Sequence, residues 1–252
     1  MGTKQDSLKQ RRAALKKKKR EAKRKSRQLQ VAGREDDVLL SPDDDLLLGT
    51  DSGRIDFGRS LQLSSFNVSY GPVDTKDEKK IPAEIKDRLE ELYYLIQRNP
   101  KQAIEPLEKL KQEYPNIPRI YNYLMAAYLK TGNPKKADEL IIENYQKHPD
   151  YLFARTNYAE YCLRHNNLDE IYKIFDNKFD LKLLYPHRND FHISEVTGFY
   201  GILGIFFIRT GTRESAENLY KMLKRLDPDH STTKVLGREL TFSRIKNLFN
   251  LK

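Results

Sequence analysis

The 252-residue sequence predicts an all-α solenoid, in which antiparallel helix pairs stack on one another and a last helix caps the array. Three observations support this prediction. A set of residues recurs every 34 positions, apolar residues within each interval are three or four apart, and Gly and Pro stand between the helical stretches. A fixed period of this length is typical of repeat proteins, because one helix pair buries its apolar face only against a neighbouring pair.

The period is defined by three prolines and by what precedes them. Pro115 and Pro149 are 34 residues apart, and Pro228 marks the same point of a later unit. An alanine allows two helices to approach closely, a glycine supplies a left-handed turn residue, and a proline ends the second helix. The residues at matching offsets are Ala103, Ala137 and Ala216; Tyr94, Tyr128 and Phe207; and Gly132 and Gly211.

The order of the elements follows from this spacing. In one interval, Tyr121, Leu124 and Tyr128 form the apolar face of a first helix, residues 132–134 form the turn, and Ala137, Leu140 and Ile141 form the face of a second helix. This arrangement resembles the tetratricopeptide repeat family, whose 34-residue unit is a pair of antiparallel helices. The resemblance covers about four units within residues 84–230, and it implies a right-handed superhelical solenoid.

The four units begin at Glu84, Pro118, Leu152 and Thr197. Unit three departs from the pattern, with Arg155 at the position of a large aromatic residue and Asn166 at the turn glycine. The step from unit three to unit four is 45 residues, which is an insertion of 11. Residues 233–248 are predicted to form the capping helix, so the repeat domain is placed at residues 81–252. Its expected apolar stripe consists of Val235, Leu236, Leu240, Ile245 and Leu248.

Two regions of opposite charge precede the repeats. Residues 1–27 hold 13 basic and 2 acidic residues, a net charge of +11, whereas residues 28–80 have a net charge of −5. We therefore expect a polybasic tail at residues 1–30 that attaches to a polyanion such as nucleic acid or an anionic surface, or to an import receptor. A tail that only aids solubility is the alternative. The polyanion-binding candidates are Lys16, Lys17, Lys18, Lys19, Arg20, Lys23, Arg24 and Lys25.

Residues 31–80 are predicted to be a disordered linker, because they combine acidic runs with Ser and Gly and have low hydrophobicity. Their acidic and apolar residues alternate, which leaves open a short docking motif that folds on a partner. The opposite signs also leave open that the linker folds back on the tail.

The sequence offers little for catalysis. The five His residues form no metal-binding motif, no Gly-rich loop precedes a Lys, and Cys162 falls at a packing position. We expect no enzyme activity, no cofactor and no metal. The longest apolar run, residues 199–208, is half of the roughly 20 residues that span a membrane. The sequence is therefore interpreted as a cytoplasmic protein without a transmembrane segment, with the nucleus as the alternative in a eukaryote.

The family resemblance implies a binding groove. In that family the first helices of successive units line a concave groove that holds an extended peptide or a partner helix. Lys130, Arg164 and Arg209 share one step of three units and would form a basic column suited to an acidic peptide; the alternative is solubility alone. The groove candidates are Arg119, Asn122, Ala126, Lys130, Phe153, Thr156, Glu160, Arg164, Gly201, Ile205 and Arg209.

The insertion is a second candidate site, since repeat insertions often form loops on a functional face. Arg188 and His192 are its candidate binding residues; the alternative is a structural loop in which Ser194 or Asp190 caps the next helix. The sequence thus predicts a non-enzymatic adaptor with a protein partner in its groove. An RNA- or ribosome-associated protein, in which the tail has the main activity, is the alternative. Oligomeric state and partner identity stay open.

Overall fold

The computed structural model describes residues 63–70 and 81–248. Within these residues the chain forms helices and two short strands. The helices are α1 (Ala83–Arg98), α2 (Pro100–Glu113), α3 (Pro118–Lys130), α4 (Pro134–Lys147), α5 (Leu152–Arg164), α6 (Leu168–Ile174), α7 (Leu181–Leu184), α8 (Ile193–Thr210), α9 (Arg213–Leu226) and α10 (Ser231–Leu248). The strands are β1 (Asn67–Ser69) and β2 (Asp190–His192).

The helices stack as pairs. Each pair consists of neighbours in the chain, namely α1 with α2, α3 with α4, α5 with α6, and α8 with α9, and α10 packs on both α8 and α9. The first helices of the pairs also contact one another in a row that runs α1, α3, α5, α8, α10. The predicted all-α solenoid is confirmed, and the fold is a tetratricopeptide-like helical repeat. Three of the four predicted unit starts lie within one residue of a helix start, and the fourth helix begins four residues before Thr197.

The turns between paired helices follow the local chemistry of the chain. Gly132 and Gly211 have φ values of 76° and 90°, in the left-handed region that glycine adopts without strain. Asn166 holds the same place in unit three with φ 56°, which is consistent with the tolerance of asparagine for this region. The replacement of glycine therefore leaves the turn of the degenerate unit intact.

The predicted apolar faces form the core. The predicted face residues of α3 and α4 are all buried, and all but Ile141 belong, with residues of α1 and α2, to a first cluster, called here the N-terminal core. A second cluster, the C-terminal core, is built by α5 to α10 and is rich in phenylalanine. Helices α4 and α5 pack against each other and join the two cores.

Arg155 in unit three makes the hydrogen bond that an aromatic residue, Tyr121, makes in unit two. In unit two, Tyr121 donates a hydrogen bond from Oη to the carbonyl of Pro115 at 3.0 Å. Arg155, 34 residues later, donates from Nε to the carbonyl of Pro149. Only 9% of Arg155 is exposed, so its charge is satisfied inside the repeat. Its other acceptors are Ile174 O at 2.8 Å, Asp176 Oδ2 at 3.2 Å and Asp150 Oδ1 at 3.3 Å.

The insertion forms α7 and β2, and it binds a segment of the predicted linker. Residues 63–70, called here the strap, place β1 parallel to β2, with Asn67 opposite Asp190. The Phe66 ring lies 5.4 Å from Phe191 and 6.2 Å from Tyr200, measured between centroids. The linker prediction is therefore wrong for these residues, because the side chains of Leu63, Phe66 and Val68 pack on the C-terminal core.

The capping helix α10 closes the array at the predicted place. Leu236 and Leu240 are buried and Val235 is half-buried, whereas Ile245 is 45% exposed and does not join the core. The side chain of Leu248 lies outside the described residues. The predicted stripe is therefore confirmed for its first half.

Helix α8 is apolar along its whole length. Among the described helices it is the one whose length and composition would suit a membrane crossing, and 72% of its apolar window is buried inside the protein. Gly201 and Gly204 let α10 approach it closely: a Cβ at Gly201 would lie 2.2 Å from Thr232 Cγ2. The hydrophobicity of α8 is thus accounted for by packing on both sides.

Candidate protein-binding groove

A pocket lies where the first helices of units three and four meet the start of the cap. Its volume is about 220 Å³, and its walls come from α5, α8 and α10. The lining residues are Phe153, Thr156, Asn157, Glu160, Ser194, Gly198, Ile202, His230, Ser231 and Thr232. Three of the four groove candidates of unit three, Phe153, Thr156 and Glu160, are among them, so the structure brings these three residues together at one pocket.

Glu160 is the acidic group of this pocket. Its side chain is accessible, yet the surrounding protein atoms raise the pKa of its carboxyl above the ordinary value, against the lowering effect of Arg164. The Arg164 guanidinium is taken by another carboxylate, since it donates to Asp138 at 2.6 Å and 3.4 Å. No described residue hydrogen-bonds to the Glu160 carboxylate or lies in an ion pair with it.

The three cations of the predicted basic column each contact a neighbouring unit. Lys130 Nζ donates to Gln97 Oε1 of α1 at 2.7 Å. Arg164 binds Asp138 of α4, as above, and Arg209 Nη1 donates to the carbonyl of Leu163, at the end of α5, at 2.6 Å. The three groups are exposed. In the structure they link consecutive repeats, and their use by an acidic peptide stays a prediction.

The unit-two candidates differ in exposure and contacts. Ala126 and Arg119 are half-buried. Asn122 Oδ1 accepts hydrogen bonds from Asn144 Nδ2 at 3.0 Å and from Asn157 Nδ2 at 3.1 Å, which ties α3 to α4 and α5. Asn122 therefore bridges units two and three beside the pocket.

Two unit-four candidates do not face an open groove. Gly201 is buried against Thr232 of α10, and Ile205 is 8% exposed in the C-terminal core. The placement predicted for these two residues is wrong, because α10 packs across this side of α8. Gly198 and Ile202, each three residues earlier on α8, line the pocket in their place.

The insertion candidates have structural roles in this fold. Arg188 forms a paired contact with Glu195, at 3.1 Å and 2.7 Å, and its guanidinium lies 4.3 Å from the centre of the Phe191 ring. His192 Nδ1 accepts from the amide of Ser194 at 3.2 Å, and Glu195 accepts from the amide of His192 at 2.9 Å. These contacts form a capping box at the start of α8, and the cap is His192 instead of the predicted Ser194 or Asp190.

Two histidines have the same capping role. His230 Nδ1 accepts from the amide of Thr232 at 3.3 Å, as His192 does at α8. Burial lowers the pKa of both imidazoles, which keeps each ring neutral and able to accept. His230, Ser194 and Gly198 line the pocket and were not predicted from the sequence as pocket residues. Their places in the repeat, just before a first helix or in its first turns, could have indicated them.

The burial of Cys162 confirms the prediction that it is a core residue. It is 1% exposed, and burial raises the pKa of the thiol to about 11. Among the described residues no group of three or more His, Cys, Asp or Glu side chains could hold a metal ion. The polybasic tail candidates, from Lys16 to Lys25, lie outside the described residues.

Comparison with known proteins gives a structural likeness. No protein-family model matches the chain, and no curated protein matches it. A solved structure from Pseudomonas aeruginosa, described as a functional characterization of pilF, aligns with a TM-score of 0.46 and 18% identity, over 66% of this chain and 71% of that chain. No function is transferred at that level of similarity, and the helix-pair repeat is established by the packing of α1 to α10.

Proposed function

We propose that the chain is a non-enzymatic scaffold that binds a protein or peptide along the row of first helices, with its polybasic tail attached to a polyanion. The observation that supports the groove is the pocket between α5, α8 and α10, because three predicted groove residues meet there, one of which is the accessible carboxylate of Glu160. A repeat solenoid offers a long concave surface of this kind to an extended partner.

The basic column is the second part of the proposed interface. Lys130, Arg164 and Arg209 stand at one step of three consecutive units and are exposed, so an acidic segment laid along the row meets all three. Their present acceptors, an amide oxygen, a carboxylate and a carbonyl, are groups that a peptide carboxylate can replace.

Capture of partners by the whole chain tests this function. The chain, immobilised with and without nuclease treatment, should retain a protein partner in both cases, and reversing Lys130 and Arg209 together to Glu should weaken binding of an acidic partner by roughly fivefold. Lys135→Glu, which lies on a second helix, is the matched control. Capture that disappears with nuclease would contradict the scaffold function, and binding unchanged by the double reversal would remove the basic column.

An RNA-associated role is the second candidate, because residues 1–27 alone have a net charge of +11. If the tail binds RNA through phosphates, the logarithm of the affinity should fall steeply and linearly with the logarithm of salt. Changing Lys16, Lys17, Lys18 and Lys19 to Gln should reduce both the affinity and that slope. A slope that does not change would contradict binding through the tail.

A further inference from the structure

The pocket between α5, α8 and α10 has the size of a single side chain. Its volume of about 220 Å³ is below the roughly 300–1,000 Å³ of sites for drug-sized ligands. Phe153 and Ile202 supply apolar wall, and Glu160 supplies a carboxylate at the same opening. A long side chain with an apolar stem and a charged end matches this combination.

The charge of the pocket is set by Glu160. Arg164, the nearest cation on α5, already binds Asp138. His230 is held neutral by burial and uses Nδ1 to accept from Thr232. Of the lining residues, Glu160 is thus the one with a charge left to pair.

Several hydrogen-bond donors that could bind an anion in this pocket are already in use. The first turns of α8 and α10 reach its wall, and helix N-termini favour anions through their free amides. Here the amides of Ser194 and Thr232 already donate to the rings of His192 and His230. The hydroxyl of Thr156 donates to the carbonyl of Leu152 at 3.0 Å, so this group too is in use.

We propose that this pocket receives a lysine or arginine side chain of the bound peptide, whose charge pairs with the Glu160 carboxylate. The inference rests on the proposed function and specifies its partner: a peptide that carries a basic residue at the position that meets the α5–α8–α10 end of the groove. The apolar stem lies against Phe153 and Ile202, and the aromatic ring adds attraction for the cation.

A titration of the full isotope-labelled chain with three small amides tests the proposal by NMR. N-acetyl-lysine methylamide should shift the backbone signals of Thr156, Asn157 and Gly198. N-acetyl-norleucine methylamide has an uncharged stem of similar length and should shift them much less, and N-acetyl-glutamate methylamide should not shift them. Glu160→Gln should weaken the lysine effect by about tenfold, the worth of one charge-assisted hydrogen bond, whereas Glu139→Gln, an exposed acid on α4, should not.

The outcomes of this titration either support or overturn the proposal. Equal shifts with the norleucine and lysine amides, or shifts that survive Glu160→Gln in a chain with an unchanged fold, would overturn the proposal. The proposed function and this inference can fail independently. A captured partner whose binding is unaffected by Glu160→Gln would support the scaffold function and contradict this inference. Lysine-selective shifts without any captured partner keep the basic-group site and remove the scaffold.

Discussion

At the scale of single residues, the departures from the repeat pattern are where the structure is most informative. Arg155 replaces an aromatic residue and still supplies the hydrogen bond that Tyr121 supplies in unit two. Asn166 replaces glycine and still adopts the left-handed turn. Arg155 retains the hydrogen bond and Asn166 retains the turn conformation of the repeat, although the residue types differ. Unit three therefore folds although its sequence pattern is weak.

Replacing Arg155 should distinguish its packing from its hydrogen bonds. Arg155→Ala leaves a cavity and removes the donor to the buried carbonyl of Ile174 and the partly buried carbonyl of Pro149, so we expect a loss of about 2–4 kcal/mol in the free energy of unfolding. Arg155→Tyr refills the site and can still donate to Pro149, and should cost about half as much. Urea titrations of both variants would measure this. A loss below about 0.5 kcal/mol for the alanine variant would contradict the structural role of Arg155.

The glycines of α8 give a matched pair. A Cβ at Gly201 would lie 2.2 Å from Thr232 Cγ2, whereas a Cβ at Gly198 would meet no atom within 4 Å. Gly201→Ala should therefore destabilise the chain by about 1–3 kcal/mol through overpacking. Gly198→Ala should stabilise it by up to about 1 kcal/mol, because alanine favours the helix. Thermal unfolding followed by circular dichroism would compare them, and equal midpoints would contradict the close contact of α8 and α10.

At the scale of elements, the sequence was sufficient where signals are local and insufficient where they are not. The starts of α3 and α5 follow from Pro118 and from the 34-residue step, because a turn and an amphipathic helix are determined by residues that are close together in the sequence. The pairing of Asn67 with Asp190 joins positions more than one hundred residues apart, and no local period encodes that register. The predicted groove residues include three pocket residues of α5 and none of α8, because the way α10 packs on α8 depends on Gly201 and Gly204 facing Thr232 and Leu236.

The two histidine caps predict a dependence of stability on pH. Burial lowers the folded-state pKa of His192 and His230, while Glu195 and Asp227 oppose the shift. As the pH falls below the ordinary value near 6.5, the unfolded chain takes up these protons first. The stability supplied by the neutral rings is therefore complete above about pH 6.5 and is lost progressively below it, by roughly 1 kcal/mol for each cap.

Urea midpoints between pH 5 and pH 7.5 would measure this loss. His192→Asn and His230→Asn together should flatten the dependence, because asparagine caps a helix and does not titrate in this range. His187→Asn is the control, since His187 is exposed and caps no helix. If the double variant loses stability toward acid as steeply as the unaltered chain, the caps do not account for the dependence.

At the scale of the whole molecule, the chain is a row of repeats with two cores. The N-terminal core spans units one and two, and the C-terminal core spans units three and four with the cap. The strap packs on the C-terminal core and therefore lies against units three and four. Strap and pocket therefore belong to the same half of the repeat domain.

Stacking and hydrogen-bonding side chains cross the junction between the two cores. Tyr145 of α4 stacks on Tyr158 of α5 with centroids 4.5 Å apart. Asn122 accepts from Asn144 and Asn157 and so binds three helices at one point. In a repeat array each unit is stabilised by its own contacts and by those with its neighbours, so a weakened junction should separate the unfolding of the two sides.

Asn122→Ala should uncouple the halves. The change removes the acceptor of the Asn157 amide and leaves the Asn144 amide only the carbonyl of Pro118 at 3.4 Å, at a cost of about 1–3 kcal/mol concentrated at the α4–α5 junction. We expect the unfolding transition to broaden or divide, with the amides of α1 to α4 exchanging hydrogen at lower urea than those of α8 and α9. Asn116→Ala, in the exposed turn before α3, should leave one transition. Hydrogen exchange read by mass spectrometry across a urea series resolves the two sides, and a single coincident transition in the Asn122→Ala chain would show that the cores are coupled by other contacts.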